Sequence, residues 1–532
     1  MSPDTTVRES VVALLRRLRM TALFGNPGST ELGLLRDLPA DFRYVLGLQE
    51  AVVVGMADGY AQATRNAAFV NLHSAAGVGH AMGNLFSAFK NRTPLVVTAG
   101  QQARAILPYD PFLFSAQATE LPKPYVKWSV EPARAADVPL AIARAYAIAM
   151  QEPRGPVLVS IPADDWERAA EPVAQREVSQ QSRPDPQWLG RIGDMLDTCR
   201  RPAFVVGAAV DRGAAWDAVR ALAERHQARV FAAPMSGRCG FAEDHALFAG
   251  HLPPIRERIV ALLGGHDLVF ALGAPAFTYH IEGSGPHLPD GAALVQLIDD
   301  PAIAAWTPQG LAAVGSIRLG VEDLLARPLP APREPTVPRV PSPRVDAPPA
   351  GARMSAAYVL QTLAELRDPA SIVVEEAPSA RRHMHQHLPF TRSETFYTMC
   401  SGGLGWSMPA AVGIALAKSQ LQPQSKVIAL IGDGSAMYSI QALWSAAQLR
   451  LPITFIILNN GRYAALQEFA PVFGFKPEDA LPGSELPDID FVALARGHGV
   501  AAARVTDAAS LRDALAQALA APVPILIDIE IA

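Results

Sequence analysis

The sequence predicts an α/β protein built from three open parallel sheets. Short runs of β-branched residues recur along the chain, and helical stretches separate them, which is typical of parallel strands joined by crossover helices. Half of the 532 residues are apolar and only 18% are charged, so the chain can bury full cores. Because one domain usually takes about 100 to 200 residues, this length predicts three domains.

The runs that predict strands fall into three groups, and each group has enough members for one sheet. The first group covers residues 21–25, 44–48, 68–72, 95–99 and 157–161. The second group covers residues 203–207, 229–233, 268–272, 293–298 and 315–319. The third group covers residues 371–374, 426–431, 453–458 and 524–529. The first and last groups could be distant relatives of one another.

Two stretches of unusual composition predict the domain boundaries. Residues 180–187 lack apolar side chains, and nine of the twenty-two residues in 328–349 are proline. Proline cannot donate to a β-ladder and favours an extended, fairly stiff spacer. We therefore predict an N-terminal domain at 1–180, a middle domain at 188–326 and a C-terminal domain at 352–532.

The charge balance and the cysteine count argue against several classes of partner. The net charge is -5 and no basic block is present, so nucleic acid is not an expected partner. Cys199, Cys239 and Cys400 lack CxxC spacing, which predicts reduced thiols. The N-terminus predicts an amphipathic helix with Thr6 and Glu9 as a capping box. No apolar run reaches the roughly 18 residues that span a bilayer, so we expect a soluble, cytoplasmic protein with no membrane partner.

Polar side chains follow two strands of the last group, at the point where each strand ends. Asp433 follows one strand and Asn460 follows the next, with one βαβ crossover between them. Both therefore lie at the carboxyl edge of the sheet, where open α/β sheets bind ligands. Their oxygen atoms, with a main-chain carbonyl just after Asn460, suit Mg²⁺ beside a diphosphate. Gly432 and Gly434 allow a close turn, and a helix starting near Ser435 would direct N–H groups toward phosphate.

Taken alone, these Gly-Asp-Gly and Asn-Asn-Gly sequences are also ordinary turns. A second element lies about one βα unit into the first domain, where Glu50 stands in the segment 48–51 ahead of the segment 57–61. Glu50 alone would be a solvated first-turn glutamate favoured by the helix dipole. Together, the two elements resemble the fingerprint of thiamine diphosphate dependent 2-oxo acid decarboxylases.

This resemblance implies a pyrimidine-binding first domain, a middle domain and a diphosphate-binding last domain. Glu50 would protonate the cofactor's pyrimidine nitrogen and so promote formation of the ylide, which a partly desolvated carboxylic acid does best. Mg²⁺, or Ca²⁺ in its place, would bind Asp433, Asn460 and the main-chain carbonyl of Arg462. The resemblance also assigns the following residues to the cofactor: Glu50, Gly402, Leu404, Gly432, Asp433, Gly434, Ser435, Asn460 and Tyr463. Since the glutamate and the metal site come from different subunits in this family, it implies a homo-oligomer, at least a dimer, with a tetramer expected.

Further segments resemble the benzoylformate decarboxylases within this family. These segments are residues 24–29, 71–77, 98–102, 279–280 and 402–405. Ser29 matches a residue that hydrogen-bonds the substrate carboxylate, and His73 and His280 match residues that transfer protons at early and later stages. Leu404 matches the apolar residue that holds the cofactor bent. The residues that match the apolar substrate pocket are Leu113, Ala465, Leu466 and Phe469.

The activity implied is non-oxidative decarboxylation of an aromatic 2-oxo acid to an aldehyde and CO₂, through a thiamine ylide and an enamine, as in mandelate-type aromatic catabolism. Taken singly, Ser29 could be a turn residue, His73 a core histidine and His280 a surface residue. The alternatives are a decarboxylase for phenylpyruvate, indolepyruvate or pyruvate, an acetolactate-synthase-like carboligase, or a non-catalytic cofactor-binding homologue. No FAD is expected.

Two other patterns carry less weight. His383, His385 and His387 suggest zinc, but only two of them share a helical face and no further ligand is evident. The glycines of residues 77–83 loosely resemble a dinucleotide loop with the wrong spacing.

Overall fold

Three six-stranded parallel sheets form the framework of the chain, which confirms the predicted fold class. The computed structural model describes residues 5–174, 176–340, 342–422, 425–476 and 478–532. Residues 1–4 and 175 of the predicted first domain, residue 341 of the proline-rich stretch, and residues 423, 424 and 477 of the predicted last domain lie outside the described residues. The domain boundaries given above remain predictions.

The first sheet has the strand order β2-β1-β3-β4-β6-β5. Its strands are β1 Ala22–Gly25, β2 Arg43–Leu46, β3 Ala68–Leu72, β4 Leu95–Gln101, β5 Ser129–Val130 and β6 Val157–Pro162. Its helices are α1 Val7–Arg17, α2 Leu32–Leu35, α3 Glu50–Thr64, α4 Ser74–Asn91 and α5 Val138–Met150. The predicted capping box is present, because Thr6 Oγ1 accepts the Glu9 N–H and the Glu9 carboxylate accepts the Thr6 N–H.

The second sheet has the order β12-β11-β10-β7-β8-β9. Its strands are β7 Pro202–Val206, β8 Arg229–Ala232, β9 Phe248–His251, β10 Leu268–Leu272, β11 Ala293–Ile298 and β12 Leu311–Val314. Its helices are α6 Pro186–Thr198, α7 Ala208–Arg212, α8 Trp216–His226, α9 Arg256–Leu262, α10 Pro301–Ala305 and α11 Ile317–Leu325. The strand predicted at 315–319 is wrong, since Ser316 Oγ accepts the Leu319 N–H and caps α11 instead.

The third sheet has the order β14-β13-β15-β16-β18-β17. Its strands are β13 Ile372–Glu376, β14 Phe396–Thr398, β15 Val427–Gly432, β16 Ile453–Asn459, β17 Ala501–Val505 and β18 Ile525–Glu530. Its helices are α12 Ala356–Leu366, α13 Arg381–His387, α14 Ser407–Leu421, α15 Asp433–Ala436, α16 Ala442–Leu449, α17 Ala464–Phe469, α18 Phe491–Gly497 and α19 Ala508–Ala520. Among the described residues, no helix is both long and apolar enough to cross a bilayer.

The first and third sheets are joined by a close crossing of α3 and α14. A Cβ atom added at Gly59 would overlap the Ala410 main chain, and one added at Gly413 would overlap the Met56 carbonyl. Buried apolar side chains of both helices and both sheets share one core cluster around this crossing. The crossing therefore fixes how the first sheet lies against the third.

The proline-rich stretch 328–349 is held to the second sheet by hydrogen bonds. The Arg333 guanidinium donates to His226 Nδ1 over 2.9 Å, and Thr336 Oγ1 donates to the Gln227 carbonyl over 2.7 Å. A spacer that binds the surface in this way has less freedom than its composition alone predicts.

Candidate active site

The carboxyl edge of the third sheet surrounds the Asp433 carboxylate with main-chain donors. Oδ1 accepts the Gly434 N–H over 2.8 Å. Oδ2 accepts the N–H groups of Asn460, Gly461 and Arg462 over 3.1, 2.7 and 3.3 Å. These bonds draw the turn after β16 against the end of β15, as the predicted crossover requires. Burial raises the pKa of Asp433 above its ordinary value of 3.8, although the four N–H donors oppose this effect.

Two further predicted cofactor residues, Asn460 and Tyr463, lie around the same turn. Asn460 Oδ1 accepts the Arg462 N–H over 3.2 Å, so its amide is folded onto the turn. Arg462 also forms an isolated bridge with Glu485. The Tyr463 ring lies directly against Gly434, where a Cβ atom would overlap it. Only a glycine there allows this approach.

Two buried polar atoms beyond this turn have no hydrogen-bond partner among the described residues. They are Ser439 Oγ and Gln441 Oε1, which follow the short helix α15. Because unpaired buried polar atoms cost free energy, they favour a polar ligand nearby. The helix expected near Ser435 begins at Asp433 and has four residues, with Ser435 buried inside it. The Asp433 and Asn460 oxygen atoms fit a cation, and the unpaired Ser439 hydroxyl, which can donate, fits an anionic diphosphate.

Glu50 lies at the first position of α3, at the carboxyl edge of the first sheet. Its side chain is 11% exposed. Asn26 Nδ2 donates to Oε1 over 3.4 Å, and His80 Nδ1 lies 3.1 Å from Oε2. Gln49 caps the helix through the N–H groups of Ala51 and Val52. The carboxylate is thus held in a partly desolvated position that suits proton exchange with a bound base.

His73 ends β3 and is fixed through one ring nitrogen. His73 Nδ1 lies 2.9 Å from both Thr30 Oγ1 and Glu31 Oε2. The Glu31 carboxylate is fully buried and also accepts the Gly28 N–H over 2.9 Å. With Nδ1 engaged, Nε2 is the nitrogen left for a substrate, and the carboxylate supports a proton on Nδ1. Ser29 is exposed beside this network, at the start of the short 3₁₀ helix Ser29–Glu31.

The predicted substrate pocket receives contributions from two parts of the chain. The exposed His280 ring meets the Phe469 ring edge-on, with ring centroids 4.8 Å apart. Ala465 and Leu466 lie on the same helix as Phe469, α17, and Leu466 is exposed. Leu113 is half-buried and adopts a φ of 64°, a conformation that branched side chains rarely take. The contact between His280 and Phe469 brings the second sheet's loop to the third sheet's pocket residues.

Residues 402–405 contact the first sheet's helices within the same chain. Asn84 Nδ2, on α4, donates to the Ala51 carbonyl over 2.6 Å and to the Gly405 carbonyl over 3.2 Å. Gly402 has a φ of 74°, which a residue with a side chain rarely adopts. Leu404 is partly buried and packs on the core cluster that α3 and α14 share. The Glu50 helix and the Leu404 segment are therefore coupled through one asparagine.

Four polar residues that sequence reasoning missed complete these contacts. They are Asn26, Thr30, Glu31 and His80. The only signal available was proximity, since Asn26 lies within the segment 24–29 and Thr30 and Glu31 follow it directly. Their partners lie 24 to 43 positions away, a separation that only the folded sheet closes.

Comparisons with known proteins agree with this geometry. Residues 5–118, 189–324 and 379–529 match the N-terminal thiamine pyrophosphate binding domain, the central domain and the C-terminal thiamine pyrophosphate binding domain of thiamine pyrophosphate enzymes. The chain is 45% identical to the benzoylformate decarboxylase of Pseudomonas aeruginosa over 98% of both chains.

Two solved structures extend this comparison. The Rhodococcus jostii 4-hydroxybenzoylformate decarboxylase is 40% identical, with a TM-score of 0.93 and 99% of each chain covered. The benzoylformate decarboxylase of Polynucleobacter necessarius is 39% identical, with a TM-score of 0.95, covering 99% of this chain and 98% of the other. The chain therefore belongs to the thiamine diphosphate dependent 2-oxo acid decarboxylases, in the group of the benzoylformate decarboxylases.

Proposed function

We propose that the protein removes the carboxyl group of an aromatic 2-oxo acid as CO₂ and releases the aldehyde. The observation that carries this proposal is that the chain contains two sheet edges with complementary chemistry. One edge holds the Glu50 carboxylate and the His73 imidazole, and the other holds the Asp433 carboxylate in a main-chain cradle. The names of the relatives, which act on benzoylformate or 4-hydroxybenzoylformate, support the aromatic substrate.

In this proposal Mg²⁺, or Ca²⁺ in its place, binds Asp433, Asn460 and the Arg462 carbonyl. When bound, thiamine diphosphate supplies the carbon nucleophile and accepts the electron pair that CO₂ leaves behind. Glu50, whose side chain is 11% exposed, would hold a proton at the pyrimidine ring. Gly434 leaves room for the Tyr463 ring at the edge that would hold the diphosphate.

The substrate would be bound and protonated by groups of the first two sheets. Ser29, exposed at the edge of the first sheet, hydrogen-bonds the carboxylate that leaves. His73 presents Nε2 because Glu31 and Thr30 occupy Nδ1, and His280 delivers a later proton. The aromatic ring of the substrate lies against the pocket residues Leu113, Ala465, Leu466 and Phe469.

An assay across substrates tests this proposal. Aldehyde release is measured from benzoylformate, phenylpyruvate, indolepyruvate and pyruvate, with and without added thiamine diphosphate and Mg²⁺. We expect benzoylformate to give the highest kcat/KM and activity to require the cofactor. A preference for pyruvate would favour the other decarboxylases, bound FAD with acetolactate formation would favour the carboligases, and no aldehyde from any acid would favour a non-catalytic homologue.

We also propose that each site is completed by a second copy of the chain, as a dimer within a tetramer. Large apolar side chains are unusually exposed in the single chain, among them Phe112 at 87% and Phe473 at 77%, which supports burial by another copy. A cytoplasmic location and a place in mandelate-type aromatic catabolism remain predictions.

Mixing two inactive variants tests the shared site. A dimer of one Glu50→Gln chain and one Asp433→Asn chain contains one site with both native residues if the two carboxylates come from different subunits. We expect activity to return when the two variants are unfolded and refolded together. If both carboxylates of a site came from one chain, the mixture would stay inactive. Light scattering would report the number of copies.

A further inference from the structure

A cavity of about 900 Å³ lies between the second and third sheets, apart from the residues assigned to the reaction. Its wall combines the loop after β8, strand β9 and helix α13, together with Arg339 from the proline-rich stretch. Four of its lining residues carry metal-binding chemistry, namely Cys239, Glu243, His251 and His385. Three of these belong to the second sheet's part of the chain and His385 belongs to the third sheet's.

The side chains of Cys239, His251 and His385 converge on one carboxylate oxygen of Glu243. Glu243 Oε1 lies 3.3 Å from Cys239 Sγ, 2.8 Å from His385 Nδ1 and 3.3 Å from His251 Nε2. Glu243 Oε2 is separately held by the Phe390 N–H over 2.9 Å. The Glu243 side chain is 2% exposed. The carboxylate is therefore fixed in place, and its second oxygen is aimed at the thiol and the imidazoles.

The distances within the cluster match the dimensions of a small tetrahedral metal site. The ligand atoms of Cys239, Glu243 and His385 all lie within 4.8 Å of one another. Zn²⁺ bonds of about 2.0 to 2.3 Å to nitrogen, oxygen and sulfur place neighbouring ligand atoms roughly 3.3 to 3.8 Å apart. Of the two separations from Glu243 Oε1 to the other ligand atoms, the 3.3 Å to Cys239 Sγ has this length, and the 2.8 Å to His385 Nδ1 is a hydrogen bond that must lengthen on binding.

The chemistry of the ligands selects the class of cation. One thiolate, one imidazole and one carboxylate suit a borderline cation such as Zn²⁺, whereas Mg²⁺ prefers oxygen ligands alone. The His251 ring stacks on the His385 ring, with centroids 3.9 Å apart, and so holds that ring in its orientation. Because the cluster lines the cavity, the fourth coordination position would open into it.

We propose that Cys239, Glu243 and His385 bind one divalent transition metal cation of the Zn²⁺ class between the second and third sheets. Three protein ligands with an open fourth position form an accessible site rather than a closed one. The cation replaces the hydrogen bonds that Glu243 now accepts from the thiol and from His385; the thiol proton leaves to solvent, and the His385 ring proton moves from Nδ1 to Nε2 so that Nδ1 is free to bind the cation. The bound cation ties the loop after β8 to α13.

Cobalt titration of the whole enzyme tests this proposal. The full chain, loaded with thiamine diphosphate and Mg²⁺ after treatment with a chelator, is titrated with Co²⁺ while its absorbance is followed. We expect about one Co²⁺ per chain with a thiolate-to-metal charge-transfer band in the near ultraviolet, displaced by Zn²⁺ but not by Mg²⁺. A cation in the Asp433 cradle would give no such band, because no cysteine belongs to that set.

Matched variants identify the cysteine that gives rise to the charge-transfer band. Cys239→Ser should abolish it, while Cys199→Ser, a cysteine outside the cluster, should leave it and the decarboxylase activity unchanged. His385→Asn should weaken Co²⁺ binding by at least about tenfold. The absence of a band from the native enzyme in excess Co²⁺, or a band that survives Cys239→Ser, would overturn the proposal. The first of these outcomes needs no variant, so the test holds even if Cys239→Ser fails to fold.

Discussion

The first and third sheets share one strand order but carry different chemistry at their carboxyl edges. Numbered within each sheet, both have the order 2-1-3-4-6-5, whereas the second sheet has 6-5-4-1-2-3. The third strand of the first sheet leads into His73, and the third strand of the third sheet leads into Asp433. One topological position therefore holds an imidazole in one sheet and a carboxylate in the other.

The two positions also differ in how the polar group is held. His73 is fixed by the side chains of Thr30 and Glu31, whereas Asp433 is fixed by main-chain N–H groups of its own turn and the next. Side-chain partners leave the ring able to exchange protons, and main-chain donors hold a charge in a fixed place. The shared topology thus fixes the position of the polar side chain at the carboxyl edge of the sheet, and its hydrogen-bond partners determine whether it can transfer protons or hold a charge.

The largest effect is expected from Asp433→Asn. The side-chain NH₂ group of asparagine would face main-chain N–H groups that now donate to the carboxylate, and the charged cation ligand would be lost. Cofactor binding and turnover should therefore both be lost. Thiamine diphosphate affinity in the presence of Mg²⁺ is the measurement. Asp507→Asn in the same part of the chain is the control, since Asp507 only caps α19 and asparagine caps equally well. Undiminished cofactor affinity in Asp433→Asn would contradict its assigned place.

Glu50→Gln should separate binding from catalysis at the other edge. The glutamine keeps the side chain's size but cannot supply an acidic proton, so cofactor affinity should persist while kcat falls by about 10² or more. Both quantities are measured on the same preparation. Glu9→Gln, which alters only the exposed capping box of α1, serves as the control. Full activity in Glu50→Gln would remove this residue from the mechanism.

His73→Ala should lower kcat for benzoylformate by at least about tenfold, because a proton-transfer group is lost. His498→Ala is the control and should keep the native kcat. The His498 imidazole lies 2.8 Å from the Leu494 carbonyl at the end of α18 and belongs to neither edge. An unchanged rate in His73→Ala would leave the first sheet's edge without an identified proton donor.

Ser29→Ala should lower kcat/KM by about tenfold, the effect expected for removing a carboxylate-binding hydroxyl. Because Ser29 is exposed and heads only a short 3₁₀ helix, the melting temperature should barely change. A large loss of stability with normal kinetics would instead make it a structural turn residue.

The smallest effect concerns the free energy of unfolding and is expected at His226, next to the second sheet. Because His226 belongs to neither carboxyl edge, this prediction tests stability and not catalysis. Burial, with the neighbouring Arg333, lowers the pKa of His226 from 6.5 to about 4. The unfolded chain therefore binds more protons between these values, and stability falls as the pH drops from 6.5 toward 4. After allowance for solvent screening, the loss between pH 7.5 and 5 is about 1 kcal/mol. Melting temperatures at pH 7.5 and 5 should diverge less in His226→Gln than in the native protein, and equal divergence would contradict the assignment.

The central strands were predictable from sequence because they are buried on both faces and are therefore short, mainly apolar runs. The strands at 68–72, 268–272 and 293–298 have the predicted bounds. Five edge strands were missed, namely Ser129–Val130, Phe248–His251, Leu311–Val314, Phe396–Thr398 and Ala501–Val505. An edge strand pairs on one side only and can be short or exposed, so periodicity gives little signal.

Sequence motifs predicted the candidate residues at the two carboxyl edges, but they did not predict the hydrogen-bond partners that fix those residues. The link from His73 to Glu31 spans 42 positions, and the link from His385 to Glu243 spans 142. The sequence alone offered no further metal ligand for the histidines of α13, because Cys239 and Glu243, which lie next to His385 in the fold, are far from it along the chain. Such contacts depend on the packing of sheets against each other, which no local pattern encodes.

The crossing of α3 and α14 limits how this protein can vary over generations. At Gly59 and Gly413 the facing main chain leaves space for a hydrogen atom and nothing larger. A single methyl group at either position would push apart the two layers that carry Glu50 and Leu404. We therefore expect both glycines to be retained in evolution, whereas residues on the outer surface can be replaced.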